Sequence, residues 1–408
     1  MKKSCLYIAS FIFCLQVSAQ LIPLNDNAVA KPYSFVSVVF NRIFNSNSLD
    51  SFYQKLYDLK KSGSGVVTIV HIGDSHIQAD FLSAVVRNNL QQFFGNAGRG
   101  LVFPYQLAQS NAPPDISSSS NTIWQFNRIA HPEIPIAPGV SGFCIRTNAL
   151  GASIDFSLKL NDKGDQSFNR LKFFLDSNTS SSWILQANNG SSPTVIKKND
   201  NDNFFFKEII LDKDANGFLL SSLPSGNTKE FYGVSLENSK AGVLYHTIGV
   251  NGSRYDQYNI ASLFWQQLSE LNADLFIVSL GTNDAQRTNF NNDAFQQQVD
   301  LFIQKLKQAS PKAAVLITTA ADSYYKKRYP NVVLRSVNTS LFSYCNQQHI
   351  PIWDLYRITN GYGSAYRWMK AGLMNADRIH YTAEGYRLQG NLLFNALAKG
   401  YNNYVSNY

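Results

Sequence analysis

Apolar residues follow two patterns that alternate along much of this chain. Residues 66–72 form a short apolar run, β-branched nearly throughout, which is typical of a strand buried in a parallel sheet. Residues 77–94 place apolar side chains three and four positions apart, which predicts an amphipathic helix. Ser75 therefore lies where a strand is followed by a helix. Backbone N–H groups and the positive end of the helix dipole can hold an exposed hydroxyl there.

The same alternation returns in the second half of the chain. Apolar runs predict strands over residues 244–250, 274–280, 313–319 and 350–354. Helical stripes lie between and after them, over residues 259–271, 292–307, 332–348 and 383–397. Strands that alternate with helices in this way are typical of βα units, so the pattern predicts an α/β fold with a parallel sheet.

The middle of the chain has a different pattern. Short segments such as 170–175 are separated by turns such as 214–217, and no helical stripe is evident. This pattern favours a β-sandwich. We therefore predict an α/β domain in two parts, residues 20–109 and 241–408, with an all-β domain inserted over residues 110–240.

Residues 1–19 predict a secretory signal peptide. Two lysines precede an apolar run, and Val17-Ser18-Ala19 supplies a small-residue cleavage site before Gln20. A lipid attachment site at Cys14 is the alternative, but the residues before it are bulky. No later stretch is apolar for the length of a membrane span. We therefore expect an exported protein, periplasmic or extracellular after cleavage.

Cysteine content and charge narrow the picture further. Without the signal peptide, Cys144 and Cys345 remain, and they either pair or form two separate buried thiols. The formal charge of +8 falls to about +6 without Lys2 and Lys3. The basic residues are scattered, which is poor support for nucleic-acid binding and is compatible with work near an anionic cell envelope.

Four polar segments follow strands or precede a helix in the predicted α/β domain. They are Gly73-Asp74-Ser75, Gly249-Val250-Asn251-Gly252, Gly281-Thr282-Asn283-Asp284 and Asp377-Arg378-Ile379-His380. Because the carboxyl ends of parallel strands line one crevice, segments that are distant in sequence can meet there.

These segments contain the groups needed for acyl transfer. Ser75 can act as a nucleophile if a base removes its proton, and His380 is the best candidate base. Of the six histidines, only His380 has an acidic residue three positions earlier. At that spacing Asp377 would lie beside it on a helical turn and orient the imidazole. The side chain of Asn283 and the amides of Ser75 and Gly252 could form an oxyanion hole.

The four segments, in this order, resemble the signature blocks of the SGNH or GDSL hydrolase superfamily. The resemblance implies a flavodoxin-like, three-layer α/β/α fold and a serine esterase that uses neither a cofactor nor a metal. It also implies the catalytic residues Ser75, Asp377 and His380, with Ser75, Gly252 and Asn283 as oxyanion donors.

The long gap between the first two blocks points to a subgroup. A Gly73-Asp74-Ser75-His76 block, a β-rich insert and then the Gly249–Gly252 block are similar to the arrangement in bacterial peptidoglycan O-acetylesterases. The insert of those enzymes resembles a carbohydrate-binding jelly roll. The resemblance implies an esterase that removes O-acetyl groups from a polysaccharide, with peptidoglycan as the expected substrate and partner.

Two alternatives remain for the function as a whole. One is a glycan-binding protein with a vestigial hydrolase domain. The other is an O-acyltransferase, or an esterase for another acylated glycan or lipid, since the acyl-enzyme is common to hydrolysis and transfer.

Some residues also have a second interpretation. A metal cluster of His71, Asp74, His76 and Asp80 is disfavoured, because side chains alternate along a strand and His71 belongs to a buried one. His76 either shapes the pocket or has a structural role. Several aromatic residues could line a sugar-binding surface, although a position in the core is the commoner use: Trp124, Trp183, Trp353, Tyr362, Tyr366 and Trp368.

Overall fold

The structure is a computed structural model that describes residues 21–159, 166–175, 182–196, 206–224 and 227–407. The predicted signal peptide, residues 1–19, lies outside the described residues. The N-terminal part contains α1 (Asp26–Ala30), β1 (Ile43–Phe44), α2 (Asp50–Ser62), β2 (Val66–Gly73), α3 (Ser75–Gln78), α4 (Phe81–Phe94) and β3 (Gly98–Val102).

The middle of the chain contributes strands. They are β4 (Ile116–Ser119), β5 (Gln125–Arg128), β6 (Phe143–Thr147), β7 (Ser153–Leu158), β8 (Phe168–Leu175), β9 (Trp183–Ala187), β10 (Thr194–Ile196), β11 (Lys207–Ala215), β12 (Gly217–Ser222) and β13 (Lys229–Glu237).

Strands and helices alternate again in the C-terminal part. The elements are β14 (Gly242–Gly249), α5 (Tyr255–Asn259), α6 (Ser262–Leu268), β15 (Leu275–Ser279), α7 (Asn292–Ala309), β16 (Ala314–Thr318), β17 (Tyr324–Tyr325), β18 (Tyr329–Pro330), α8 (Val332–Gln347), β19 (Ile352–Trp353), α9 (Leu355–Ile358), α10 (Ser364–Lys370) and α11 (Ala383–Ser406). Single turns of 3-10 helix lie at Val38–Phe40, Ser46–Leu49, Tyr105–Ala108, Ser269–Leu271 and Asp284–Gln286.

A six-stranded sheet forms the centre of the α/β part. Its order is β1-β19-β16-β15-β2-β14, and all neighbours are parallel except β1 and β19. Successive side chains of β2 face opposite layers: Val70 and Ile72 belong to the core with α6, α7 and α8, and Ile69 belongs to the core with α2, α4 and α11. Burial on both faces explains the continuous apolar runs in the sequence. The predicted three-layer α/β/α fold is confirmed.

The middle strands form two antiparallel sheets, as expected for an inserted all-β part. One has the order β10-β9-β12-β7-β4 and the other β11-β8-β13-β6-β5. Inward side chains of both sheets share a core, including Phe156 and Phe218 from the first and Phe173 and Phe231 from the second. Strand β3 also pairs with β13, although it precedes the predicted start of the insert at residue 110. The exact domain boundaries stay a prediction.

The helix predicted over residues 77–94 is interrupted in the structure. It is divided into α3 and α4 by Asp80, whose φ is 60°. Aspartate adopts this left-handed conformation more readily than most residues. The buried Asp80 carboxylate accepts hydrogen bonds from Ser83, from Arg99 and from Thr247, and these contacts hold the bend.

Other elements differ from the sequence prediction in length. The helix predicted over 259–271 is α6 followed by a 3-10 turn, and the strand predicted over 350–354 is reduced to Ile352–Trp353. All four tryptophans singled out for a sugar-binding surface are buried: Trp124, Trp183, Trp353 and Trp368. Tyr362 and Tyr366 are instead exposed, by 52% and 48%.

Two further features bear on the expectations for an exported protein. No disulfide joins Cys144 and Cys345, and both side chains are buried, which agrees with the interpretation as two separate thiols. Among the helices of the described residues, none is both long enough and apolar enough to span a bilayer.

Candidate active site

The first predicted block lies at the carboxyl end of the central strand β2. Gly73 ends this strand opposite Gly249 of β14 and Ser279 of β15. Gly73 and Gly249 must both be glycine, because α3 passes directly over the backbone of these two residues. A Cβ on Gly73 would lie 2.4 Å from Ile77 Cγ1, and one on Gly249 would lie 2.1 Å from the backbone nitrogen of Gln78. The close approach places Ser75 as the first residue of α3.

Ser75, His380 and Asp377 form a hydrogen-bonded relay. Ser75 Oγ is 3.0 Å from His380 Nε2, and His380 Nδ1 is 2.7 Å from Asp377 Oδ2. Nδ1 is thus oriented by a carboxylate while Nε2 faces the hydroxyl, an arrangement in which the imidazole can accept the serine proton. The chain order of these residues is serine, aspartate, histidine, and the relay joins positions 305 residues apart.

The Asp377 block is a turn and not the helical turn expected from its spacing. Arg378 has a φ of 54°, which excludes a regular α-helix, and Asp377 Oδ1 accepts the backbone N–H groups of Ile379 and His380 at 3.0 Å each. Partial burial alone would raise the pKa of Asp377. The hydrogen bonds from His380 and from the two backbone groups outweigh it and lower the pKa, so the carboxylate stays ionised.

The three expected oxyanion donors lie beside the relay but are not equivalent. Among the described residues, neither the Ser75 amide nor the Gly252 amide has a hydrogen-bond acceptor, so both can donate to a substrate oxygen. Gly252 has a φ of 83°, which favours glycine. The side-chain amide of Asn283 is already engaged, since it donates to Ser253 O at 3.1 Å and to Asp74 Oδ2 at 3.3 Å.

Asp74 links the nucleophile block to the Asn283 block, a contact that the sequence did not reveal. Its Oδ1 caps α3 by accepting the His76 N–H at 2.9 Å, while Oδ2 accepts from Asn283. Burial raises the pKa of Asp74 to about 7, against the opposing effects of the His76 hydrogen bond and the charge of His380. Its position directly before Ser75 is the only signal in the sequence that could have suggested this role.

His76 packs against the candidate base. The ring centres of His76 and His380 are 5.5 Å apart, and His76 Nδ1 is 2.9 Å from Tyr386 Oη. Burial and the neighbouring His380 lower the pKa of His76 to about 3, so that this ring is neutral at physiological pH. A neutral, fixed ring beside His380 limits where the imidazole of this candidate base can move.

The four residues of the alternative metal cluster do not converge. His71 lies in β2 with Nδ1 at 2.8 Å from Tyr245 Oη and Nε2 at 2.7 Å from Ser279 Oγ, whereas Asp80 pairs with arginines beyond α3. Among the residues that the structure describes, no three His, Cys, Asp or Glu side chains are placed to hold a metal ion.

The β-rich insert contributes a wall next to Gly252. A Cβ built on Gly252 would lie 3.7 Å from the Ala130 methyl group, and Gln257 Nε2 donates to Ala130 O at 2.9 Å. Further from Gly252, the half-exposed His131 lies between two charged side chains. Its Nε2 is 3.1 Å from Arg128 Nη2, and its Nδ1 is 3.0 Å from Glu133 Oε1. No pattern in the sequence predicts this wall, because it depends on how the insert packs against the sheet.

Comparisons with known proteins found a family match for part of this chain. Residues 225–388 match the model of the GDSL-like Lipase/Acylhydrolase family, a range that includes Gly252, Asn283, Asp377 and His380 and leaves out the Ser75 block. A search of curated proteins found no match.

Solved structures extend the likeness to most of the chain. A structure titled "Peptidoglycan O-acetylesterase in action, 5 min" is 21% identical, covers 88% of this chain and 98% of its own, and has a TM-score of 0.74. A lipase/acylhydrolase from Enterococcus faecalis is 19% identical over 39% of this chain and 77% of its own, with a TM-score of 0.31. The first of these shares the fold. Residues 225–388 are therefore similar to GDSL-like lipases and acylhydrolases of the SGNH superfamily, a similarity that supports a carboxylic ester hydrolase.

Proposed function

We propose that this protein is an exported serine esterase that removes O-acetyl groups from a polysaccharide, with peptidoglycan as its substrate. The observation that carries the proposal is the relay in which Ser75 Oγ is 3.0 Å from His380 Nε2 and His380 Nδ1 is 2.7 Å from Asp377 Oδ2. The signal-peptide pattern of residues 1–19 supports export to the periplasm or the cell exterior.

In this mechanism Ser75 attacks the carbonyl carbon of the ester. His380 takes the hydroxyl proton at Nε2, and Asp377 stabilises the resulting imidazolium. The amides of Ser75 and Gly252 donate to the oxyanion of the tetrahedral intermediate. The Asn283 side chain joins them when one of its two N–H groups exchanges Ser253 O or Asp74 Oδ2 for the substrate oxygen. His380 then protonates the leaving sugar oxygen. Water attacks the acyl-enzyme by the same sequence and releases acetate.

Two observations support a glycan as the source of the ester. The structure with the peptidoglycan O-acetylesterase title matches 88% of this chain, a coverage that includes most of the β-rich insert as well as the hydrolase part. The insert also lies beside Gly252, so a large alcohol portion of an ester would meet it. A site that is lined by both the hydrolase part and the insert suits an extended substrate.

Replacement of the nucleophile tests the proposal directly. Ser75→Ala should lower acetate release from O-acetylated peptidoglycan by at least about 10⁴-fold, because the covalent intermediate cannot form. Acetate release is measured with the purified mature protein. Ser64→Ala is the matched control, since this exposed serine precedes the opposite end of the same strand.

The circular dichroism spectrum and thermal midpoint of Ser75→Ala should equal those of the wild type. Wild-type acetate release by this variant would refute the assignment of Ser75. Acetate that appears on an added sugar acceptor in place of water would identify an acyltransferase.

A further inference from the structure

A short hairpin beside the candidate triad carries three consecutive basic residues. Its strands are β17 and β18, and its tip is Lys326-Lys327-Arg328. All three tip residues are exposed to solvent, as is Tyr329. The whole segment, residues 324–330, has no acidic side chain. We refer to it as the basic hairpin.

The tip of the basic hairpin is a tight turn whose backbone conformation favours other residues over lysine. The N–H of Arg328 donates to Tyr325 O at 3.0 Å, and Lys326 and Lys327 have φ values of 46° and 63°. Positive φ at both central positions is shared with the type I′ turn, which favours Asn-Gly there, although this tip has three residues because Tyr325 pairs with Tyr329. Lysines in these positions strain the backbone, and such strain is concentrated where side chains serve a function.

The basic hairpin is anchored to two of the segments that form the candidate active site. Gln286, which follows the Asn283 block, donates Nε2 to Tyr324 O at 3.0 Å and accepts the Lys326 N–H at 2.9 Å. Arg378, within the block of the triad acid and base, accepts the Tyr324 N–H at 2.7 Å. Its guanidinium also lies 4.8 Å from the centre of the Tyr324 ring. These contacts fix the hairpin relative to the triad.

In the part of the chain that the structure describes, no carboxylate forms an ion pair with the three tip side chains. Arg254 and Arg287, which closely follow the Gly252 and Asn283 blocks, both pair with the one carboxylate of Asp256, each at 3.0 Å. The buried Asp284 also interacts with Asp256 and Arg254, so this group contains two arginines and two carboxyl groups. Together with the three charges of the tip, the segments that flank the site are more positive than negative, which attracts an anionic polymer.

We propose that the basic hairpin is a subsite for a carboxylate of the acylated glycan whose ester is held at Ser75. The inference deepens the proposed function and rests on it. Exposed lysine ammonium groups are mobile point charges, which suit a carboxylate on a flexible branch of a polymer. A glycan strand with peptide branches has such groups, whereas a small neutral ester has none. The subsite thus favours anionic over neutral acylated polymers.

The strained turn allows a test that does not compromise folding. The double variant Lys326→Asn with Lys327→Gly removes two charges and introduces the favoured residues of a type I′ turn, so its thermal midpoint should equal or exceed that of the wild type. Its KM for O-acetylated peptidoglycan should rise on the order of tenfold at low salt. Its rate on p-nitrophenyl acetate should be unchanged. Both kinetic measurements are made at low and high salt.

A matched pair of lysines and a neutralised polymer complete the test. Lys61→Asn with Lys312→Asn removes two exposed charges that precede the amino ends of β2 and β16, and it should leave KM unchanged. Peptidoglycan with amidated carboxylates should be hydrolysed equally by the wild type and the hairpin variant. An equal KM of these two proteins for the unmodified polymer would overturn the inference.

Sedimentation with insoluble peptidoglycan separates this inference from the proposed function. The Ser75→Ala protein should sediment with the unmodified polymer, and addition of the two hairpin substitutions should weaken that binding. Equal sedimentation with and without them would overturn the subsite. Failure of the wild type to release acetate from the polymer would instead overturn the proposed function, whatever the binding result.

Discussion

At the scale of single residues, the candidate site depends on groups that do no chemistry themselves. Asp74 is the clearest case, because its two carboxylate oxygens hold α3 and Asn283 at the same time. Ser75 and the Asn283 amide are therefore fixed relative to each other by one buried side chain, which is 1% exposed. A preorganised donor beside the nucleophile is what stabilisation of an oxyanion requires.

Removal of the Asn283 amide should impair turnover more than binding. The charge on the substrate oxygen develops only in the transition state, so we expect Asn283→Ala to lower kcat on the order of 10²- to 10³-fold with little change in KM. Steady-state kinetics on p-nitrophenyl acetate measure both parameters. Asn289→Ala, beyond the Asn283 block in the same loop region, serves as the control. An increase in KM with an unchanged kcat would show that Asn283 binds the substrate without stabilising the transition state.

The buried Asp74 should make the stability of the protein depend on pH. Burial raises its pKa from 3.8 to about 7. The folded protein therefore holds the Asp74 proton more tightly than the unfolded chain, and this stabilisation is full at acidic pH and is lost as the pH rises through 7. Asp74→Asn has no such proton. The stability of the wild type relative to the variant should fall between pH 4 and 7, by at most about 1.4 kcal/mol per pH unit.

Urea unfolding of both proteins at pH 5 and at pH 8 measures this difference. If the stability of the wild type relative to Asp74→Asn is the same at both pH values, Asp74 is ionised at both. If the relative stability of the wild type rises towards pH 8, the sign of the coupling is reversed.

The candidate catalytic residues could be predicted from sequence because each belongs to a short block next to a regular element. Ser75 follows a strand, and His380 has an acidic residue at a short spacing. The geometry of the Asp377 turn could not be predicted, because the left-handed backbone of Arg378 is fixed by contacts with a distant hairpin. The bond between Asp74 and Asn283 joins positions 209 residues apart and leaves no pattern in either segment.

At the scale of elements, helices that have both an amphipathic stripe and a capping residue were predicted best. The helices expected at 292 and 332 begin at those residues, because Asn291 and Asn331 accept backbone N–H groups of the first turn at 2.8 Å and 3.2 Å. Helix α11 was expected to end at 397 but continues to Ser406. Gly400 lies within this helix and does not mark its end. Its role is close packing, because a Cβ there would lie 2.0 Å from Tyr53 Oη.

The break between α3 and α4 has the opposite origin. The apolar stripe continues across it, so the sequence predicts one helix, whereas buried ion pairs determine where the chain bends. Asp80 contacts Arg87 at 2.8 Å and Arg99 at 2.6 Å, with all three side chains almost fully buried. An uninterrupted helix would carry Asp80 away from these partners, and an unpaired buried carboxylate is unfavourable. Tertiary electrostatics therefore overrides local helix propensity here.

At the scale of the whole molecule, the insert and the hydrolase part share structure. Strand β3 pairs with β13 of the insert, and a Cβ on Gly100 of β3 would lie 2.4 Å from Tyr245 O in β14 of the central sheet. Lys172 of the insert donates to Glu270 O at 3.0 Å. The sequence predicted the two classes of fold from their hydrophobic periods. It could not predict this junction, because pairing between residues 132 to 139 positions apart leaves no local signal.

Arg99 is the side chain that joins the two parts electrostatically. Its Nη2 is 2.6 Å from Asp80 Oδ2 in the hydrolase part, and its Nε is 2.5 Å from Oδ2 of Asp115, which lies before β4. Burial alone would raise the pKa of Asp115, but the charge and hydrogen bonds of Arg99 outweigh it and lower the pKa to about 2. Arg99→Met would leave Asp115 partly buried without its partner. We expect the free energy of unfolding to fall by about 3–5 kcal/mol, the cost typical of a broken buried pair.

A second arginine distinguishes this effect from a general loss of charge. Arg170 pairs with Glu208 on the surface of the insert, where their side chains are 41% and 32% exposed, so Arg170→Met should cost only about 0–1 kcal/mol. Urea unfolding followed by tryptophan fluorescence reports on both parts, since Trp183 lies in the insert and Trp353 in the central sheet. Because Arg99 bridges the parts, its variant should shift one common transition. Two separate transitions would show that the insert and the hydrolase part unfold independently. Equal costs for the two variants would show that the buried Arg99 pair stabilises the protein no more than the exposed Arg170 pair does.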